Sequence, residues 1–319
     1  MKKIALVGAA MAVLTLLSVQ FSDIALAENP EAKCKDRSPI SEARYDPCRR
    51  PATVIAAKVA AATIYDQYLN GAATLKDVQA ADRRVEQFTR AEVPEPSRNF
   101  MAVENGTDPL TKYPAGVQLS GFQVFAQNNY YYCGPATVQS MLFYFAKKDI
   151  KFKTAATVNS FTQEYDVVYG HPRDQHILAS EFWLATDKYG GTNYGEPYVP
   201  FTLNAWRGDQ YYTQHSTVTN GGTLNADEFM RAVRYNTDRG FPIAENARYN
   251  GYSYYPAGFQ PGIDYFHWDL IYGHFYKDGV QYVQQGQPYA SPGYSWVPYQ
   301  NVPWSTMWTA LGSWYGIVW

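Results

Sequence analysis

The order of periodicities along the chain constrains the fold more than any other feature: apolar residues recur at helical spacing early, and strand-like runs come late. Between Pro51 and about Glu92, Val54, Ala57, Val59, Ala62 and Tyr65 share one helical face, Asn70-Gly71 makes a break, and a charged helix runs from about Leu75 to Ala91. Val93-Pro94-Glu95-Pro96 then stops the pattern. Val138, Met141, Leu142 and Phe145 mark a helix over Ala136–Phe145, and Asp174 is placed to cap one running through Phe182 and Ala185. Phe229, Val233 and Tyr235 mark another over Ala226–Arg239, with Gly240 as its left-handed stop. The expected strands follow at Phe241–Asn246, His267–Tyr272, Val280–Gln284 and Gly316–Trp319. Helices first and strands later predict an α+β fold with an antiparallel sheet. No internal repeat interrupts this order.

The first residues carry a different signal. Met1-Lys2-Lys3 precedes an apolar run from Ile4 to Val19, and Ala25-Leu26-Ala27 fits the small-x-small rule for signal peptidase. The run, about 16 residues, is shorter than the roughly 20 that a spanning helix needs. A signal peptide over 1–27 is therefore expected, with cleavage before Glu28, no transmembrane segment afterwards, and a secreted or periplasmic product. Residues 28–112 are expected to form a helical N-terminal region that serves as a propeptide, a docking module or a structural brace. The brace is favoured because no dibasic processing site stands at its end. Residues 113–319 form the main domain.

A formal charge of −2 gives no electrostatic case for nucleic acid. The chain has 28 tyrosines against 27 lysines and arginines, which suits either extracellular recognition of peptides or sugars or a large aromatic core. Its three cysteines are an odd number for an exported protein. Cys34 and Cys48 lie close enough to close a short loop, and a disulfide there would add up to about 3 kcal/mol. Cys133 is left alone. A free thiol in an oxidising compartment is a liability unless it is buried or used.

A thiol nucleophile needs stabilisation of the thiolate, a base, and donors aimed at the developing oxyanion. Cys133-Gly134-Pro135 supplies the first, because proline favours the first helical turn and the helix macrodipole there favours negative charge. Gly134 leaves room for a substrate backbone. The competing possibility is an inert cysteine packed as a small hydrophobe.

Gln127-Asn128-Asn129-Tyr130-Tyr131-Tyr132-Cys133-Gly134-Pro135-Ala136 resembles the Gln-x5-Cys-Gly-Pro-Ala signature of papain-like cysteine peptidases of the bacteriocin-processing, double-glycine-leader type. These form family thirty-nine of the cysteine peptidases, which has stand-alone secreted relatives. The resemblance implies a papain-like fold, in which a helix carrying the cysteine packs on an antiparallel sheet carrying the histidine. It implies that the Gln127 amide and the Cys133 backbone N–H form the oxyanion hole. Gln123 competes for that role at a less fitting distance. His267-Trp268-Asp269-Leu270-Ile271-Tyr272-Gly273 is similar to the family's histidine strand, and Gly240-Phe241-Pro242-Ile243 to the strand before it. His267 is thus the expected base. Leu178-Ala179, Ala185-Thr186, Gly190-Gly191-Thr192 and Leu203-Asn204 add weaker similarity. The whole resemblance covers about residues 118–300.

The other histidines read as surface or helix-start residues: His171 and His176 flank a Pro-Arg-Asp turn, and His215 lies in a polar stretch. His274 is seven residues beyond His267, an odd offset that places it on the opposite face of a regular strand. That argues against a His267/His274 metal pair, and no Cys/His spacing matches a zinc site. No cofactor is expected. The family's third member is an aspartate before a proline, but here Gln287 precedes Pro288. A neutral amide can still accept from the imidazole, as asparagine does in papain. Asp269 shares the strand face of His267 and is the second candidate; position in the motif favours Gln287. Asn250–Phe259 mixes glycine with aromatics and reads as a loop lining the substrate groove or as a plain connection.

The reading is a secreted peptidase acting on peptide or protein substrates, with envelope association open. A cell-wall amidase or transpeptidase using the same dyad, and a decayed peptide- or carbohydrate-binding module, are the alternatives.

Overall fold

In the computed structural model the described residues are 51–95, 116–147 and 175–319, apart from 182 and 252. The signal peptide, Cys34, Cys48, His171 and Asp174 lie outside them. Helix α1 (Pro51–Leu69) opens on proline, which costs nothing where its N–H would be unpaired. Gly71, at φ 73°, turns the chain into α2 (Leu75–Thr89). A capping box starts α2: Asp77 N–H donates to the Thr74 hydroxyl while the Asp77 carboxylate accepts from Thr74 N–H. The helix stops two residues before Ala91, because Arg90 takes the left-handed conformation.

α3 (Cys133–Lys147) matches the expected helix and extends it back to Cys133 itself. The helix expected from Asp174 through Ala185 is broken. α4 (Gln175–Ala179) ends early, the chain turns to bury Trp183 and Leu184, and α5 (Thr186–Tyr189) restarts after Ala185. Ala185 N–H donates to Ser180 O at 2.8 Å to close that turn. α6 (Val199–Arg207) is buried along its whole length. α7 (Ala226–Thr237) is capped by Asn225 and followed by Gly240 at φ 83°, the expected left-handed stop. No described helix is long and apolar enough to cross a membrane.

The strands pair only with antiparallel neighbours. They are β1 (Val117–Gln118), β2 (Gln214–Ser216), β3 (Ile243–Tyr249), β4 (Tyr265–Lys277), β5 (Val280–Gly286), β6 (Tyr299–Pro303) and β7 (Gly316–Val318). Their order is β2-β7-β3-β4-β5-β6, with β1 against the far end of β4. Helix α8 (Trp304–Leu311) follows β6 directly. Asp278 and Gly279, both at positive φ, make the tight β4–β5 turn that such a pair favours. This is the α+β class expected from the sequence: a cysteine-bearing helix on an antiparallel sheet that carries His267, preceded by a helical pair.

The sheet departs from regularity at one informative place. The β4–β5 register shifts between Ile271 and Gly273, so one extra residue sits on β4. His274 then pairs with Val283, two positions from Gln285, and alternation returns it to the face of His267. The face expected for His274 was wrong for that reason. The two histidines still stand roughly 20 Å apart at the rise of a strand. Asp238 engages His274 at 2.8 Å.

α1 and α2 are fastened to the main domain by polar as well as apolar contacts. Lys58 is fully buried; its ammonium donates to Tyr211 O at 3.2 Å and lies 3.7 Å over the Tyr211 ring. Tyr65 donates to Asp238 at 2.6 Å, and the Asp82 carboxylate accepts from Tyr235 at 2.8 Å and Arg239 at 3.1 Å. Arg234 pairs with Asp66.

His215 is a second correction. It is buried on β2, where its ring stacks on Trp319 and its Nε2 lies 3.0 Å from the Thr223 hydroxyl. Burial and the nearby Lys58 charge push its imidazole down to about 4, and Glu228 at 3.8 Å does not offset them. As pH falls below the ordinary histidine value, the unfolded chain takes up a proton that the folded one refuses until about 4. Roughly 3 kcal/mol should be lost across that window. Urea midpoints at both ends of it, in wild type and His215→Gln, measure this loss; an identical acid slope in the variant would assign it to other groups.

Candidate active site

Helix α3 begins at Cys133, and Ala136 N–H donates to Tyr132 O at 3.0 Å to close its first turn. The sulfur thus sits at a helix N-terminus, where the macrodipole favours negative charge. Cys133 is buried, and it is unbridged among the described residues. The space beside Gly134 belongs to the protein rather than to a substrate. A Cβ there would stand 2.1 Å from the Thr192 hydroxyl. The Thr192 carbonyl accepts from the Trp268 indole at 2.9 Å, so the missing side chain lets the segment around Thr192 tie the cysteine helix to the histidine strand.

His267, near the start of β4, meets Cys133 on one side and two acceptors on the other. Its Nε2 lies 2.7 Å from Gln287 Oε1 and 3.2 Å from Asp269 Oδ1. With Nε2 so engaged, Nδ1 is the nitrogen left for Cys133, which lies close enough to act on the imidazole. Burial alone would push this imidazole down. The Asp269 carboxylate, and after it Cys133, outweigh burial and hold His267 well above its ordinary value. The two candidates for third member are therefore both present and do different things. Gln287 supplies the directed hydrogen bond, and Asp269 supplies the charge. Gln287 Oε1 is itself fixed by Tyr289 N–H at 3.1 Å.

Aromatic rings enclose the imidazole. Phe259 is centred 5.3 Å from it, Tyr289 5.8 Å and Tyr249 6.4 Å. Phe259 comes from the glycine-containing loop after β3, which is pinned where Ser291 N–H donates to Gly258 O at 2.8 Å. The tip of that loop packs on the histidine and so is more than a plain connection.

Gln127 reaches the same place from the other side. Its backbone N–H donates to Pro288 O at 2.8 Å, beside Gln287. Its side-chain amide donates one hydrogen to Asn129 O at 2.7 Å, which leaves the second hydrogen for another acceptor. Its Oε1 is buried with no hydrogen-bond partner among the described residues. An amide held on one side with one donor to spare is suited to an oxyanion. Gln127→Ala should lower kcat by about 10²–10³-fold with little change in KM. An unchanged kcat would remove the residue from this role.

Cys133, His267, Gln127, Gln287 and Asp269 thus share one site. Sequence reasoning missed the layer behind it, formed by Glu245, Tyr249, Tyr254 and Gln285. Glu245 and Asp269 face each other across β3 and β4, and both are fully buried. A carboxylate directly after the apolar Phe241–Ala244 run, within the expected strand Phe241–Asn246, was the available signal. Among the described residues no cluster of three or more His, Cys, Asp or Glu is arranged to hold a metal ion.

No protein-family model and no curated protein sequence matches the chain. Among solved structures it is similar to xylellain, a cysteine protease from Xylella fastidiosa, at 12% identity and TM-score 0.31, over 67% of this chain and 88% of that one. It is also similar to the proform of the ragweed pollen allergen Amb a 11, a cysteine protease, at 13% identity and TM-score 0.32, over 72% and 70%. Digestive procathepsin L 3 of Tenebrio molitor matches at 11% identity and TM-score 0.31, over 87% and 94%. Likeness this slight carries no weight here, and the function rests on the residues themselves.

Proposed function

We propose that the chain is a secreted cysteine peptidase, papain-like and akin to the stand-alone relatives of the double-glycine-leader type. The observation that supports it best is the placement of His267 between the Cys133 thiol and the Gln287/Asp269 pair. A raised imidazole next to a thiol at a helix N-terminus favours the thiolate–imidazolium form.

The reaction follows from that pair. The Cys133 sulfur attacks the peptide carbonyl carbon, and the carbonyl oxygen becomes an anion held by the free Gln127 N–H and the Cys133 backbone N–H. His267 gives its proton to the leaving nitrogen as the C–N bond breaks, leaving an acyl-thioester. Water then attacks the thioester, His267 takes a proton from it, and the thiol is released with the acid.

A glutamine at 287, where the resemblance implies an aspartate, is the one sequence feature that favours a decayed binding module. Its 2.7 Å contact with the histidine removes that support, since the amide does the orienting that an asparagine or aspartate would do. An envelope amidase or transpeptidase would use the same residues on a different amide. Cleavage of a peptide library beside digestion of peptidoglycan, with Cys133→Ala as the blank, separates these. Library cleavage lost in Cys133→Ala is the expected result; peptidoglycan release alone would make the enzyme an amidase, and neither would defeat the proposal.

The helical pair is proposed to be a permanent brace. Its polar anchors go to Tyr211, Asp238, Tyr235 and Arg239, and none of them is a site residue.

A further inference from the structure

The polar layer behind His267 holds two buried carboxyl groups where one would serve to orient it. Glu245 and Asp269 are directly opposed in the β3–β4 register, and neither is exposed to solvent. Side chains so opposed have Cβ atoms about 4.5–5.5 Å apart. Two carboxylates that close, away from water, do not both ionise readily.

The donors around them are not shared evenly. Tyr254 donates to Gln285 Oε1 at 2.9 Å. The Gln285 amide nitrogen lies 2.7 Å from the Tyr249 hydroxyl, 3.0 Å from Glu245 Oε1 and 3.2 Å from Asp269 Oδ2. Tyr249 in turn donates to Asp269 Oδ2. Asp269 Oδ2 therefore has the phenol and a share of the amide, with the imidazole Nε2 3.2 Å from Oδ1 as its counter-charge, while Glu245 has only a share of the amide. Neither Glu245 Oε2 nor Asp269 Oδ1 has a hydrogen-bond partner among the described residues, but Asp269 Oδ1 faces the imidazole Nε2 at 3.2 Å, so Glu245 Oε2 is the oxygen placed to carry a proton. Among the described residues, β7 opposes it with Ile317, Tyr254 contacts Met307 of α8, and Asp269 and His267 on β4 are the charged groups that act on it.

We propose that Glu245 stays a neutral carboxylic acid in the working enzyme, that Asp269 alone carries the charge that holds imidazolium His267, and that Glu245 serves as a positioning residue by holding Gln285. This rests on the reading of Cys133 and His267 as the catalytic pair. Electrostatics agree with the donor count: burial, then the Asp269 carboxylate, push the Glu245 carboxyl well above the usual carboxylate range, and Gln285 and His267 only partly oppose them. A neutral acid fills the space and accepts from Gln285 without adding a second charge.

The test is the pH dependence of Cys133 alkylation by iodoacetamide in wild type, Glu245→Gln and Glu245→Ala, which needs no substrate. Glutamine is neutral and reaches Gln285, so it should keep the acid limb, where the thiolate forms, where wild type has it. Alanine cannot reach, and should slow alkylation about tenfold through a loosened Gln285 and Asp269. If glutamine moves the acid limb down by about one pH unit or more, Glu245 was charged and the neutral-acid proposal is overturned. If alanine alkylates as fast as wild type, the positioning role is overturned. Should neither variant fold, infrared spectra of wild-type protein at neutral pH decide: a buried carboxylic-acid carbonyl band is expected, and its absence overturns the proposal. Failure of the underlying dyad would look different, as wild-type Cys133 alkylating no faster than a free thiol whatever the infrared band shows.

Discussion

Replacing His267 with alanine is expected to cut peptide hydrolysis by about 10³–10⁴-fold, because one side chain supplies the base, the acid and the counter-ion of the thiolate. The same change should weaken the fold, since it leaves Asp269 buried without its cation. Breaking a buried pair from one side costs about 3–5 kcal/mol. Cys133→Ala removes the nucleophile but leaves His267 paired with Asp269, so it should abolish turnover and shift the urea midpoint far less than His267→Ala does. Hydrolysis and urea unfolding measured on both variants test the pair of statements. If His267→Ala keeps activity within about tenfold of wild type, another group is the base.

Deleting the chain through residue 95 is expected to destroy the fold rather than release activity. A removable propeptide leaves a finished surface behind. Here the departing helices would uncover Arg239, whose side chain is closed off from solvent and paired with Asp82. They would also uncover Trp319, Tyr211 and Tyr235, all buried, and take away the Tyr65 partner of Asp238. Asp82→Ala alone, which strands the Arg239 charge, should cost about 3–5 kcal/mol. Circular dichroism and gel filtration of the truncated chain give the answer. A soluble, folded and more active product would mean that α1 and α2 are a propeptide after all.

Much of this was legible in the sequence because the signals were local. Cys133-Gly134-Pro135 states a helix start, and the order of helical and strand-like runs states the class. Gln127 and His267 were placed through resemblance; His267 lies against Cys133, and Gln127 is held at Pro288, next to Gln287. What could not be read depended on contacts across the sheet. The face of His274 turned on a one-residue bulge that no periodicity announces. The purpose of Gly134 turned on Thr192, 58 positions away in the chain, which fills the space a side chain would need. The choice between Gln287 and Asp269 had no answer in sequence because the fold uses both, one for direction and one for charge. Glu245 stayed hidden inside an apolar strand until the β3–β4 register set it against Asp269.

The most direct measurement is the rate of Cys133 alkylation by iodoacetamide as a function of pH. His267 is raised well above its ordinary value by Asp269 and Cys133 against the pull of burial, so the imidazolium persists through neutral pH and is lost only as pH climbs through that raised value. The thiolate it stabilises should already be present at neutral pH and remain as pH rises further. Fast alkylation is therefore expected on a plateau that spans neutrality, with a sharp loss of rate at neutral pH in His267→Ala. A rate that climbs only where free thiols ionise, and is the same with and without His267, would contradict the catalytic dyad.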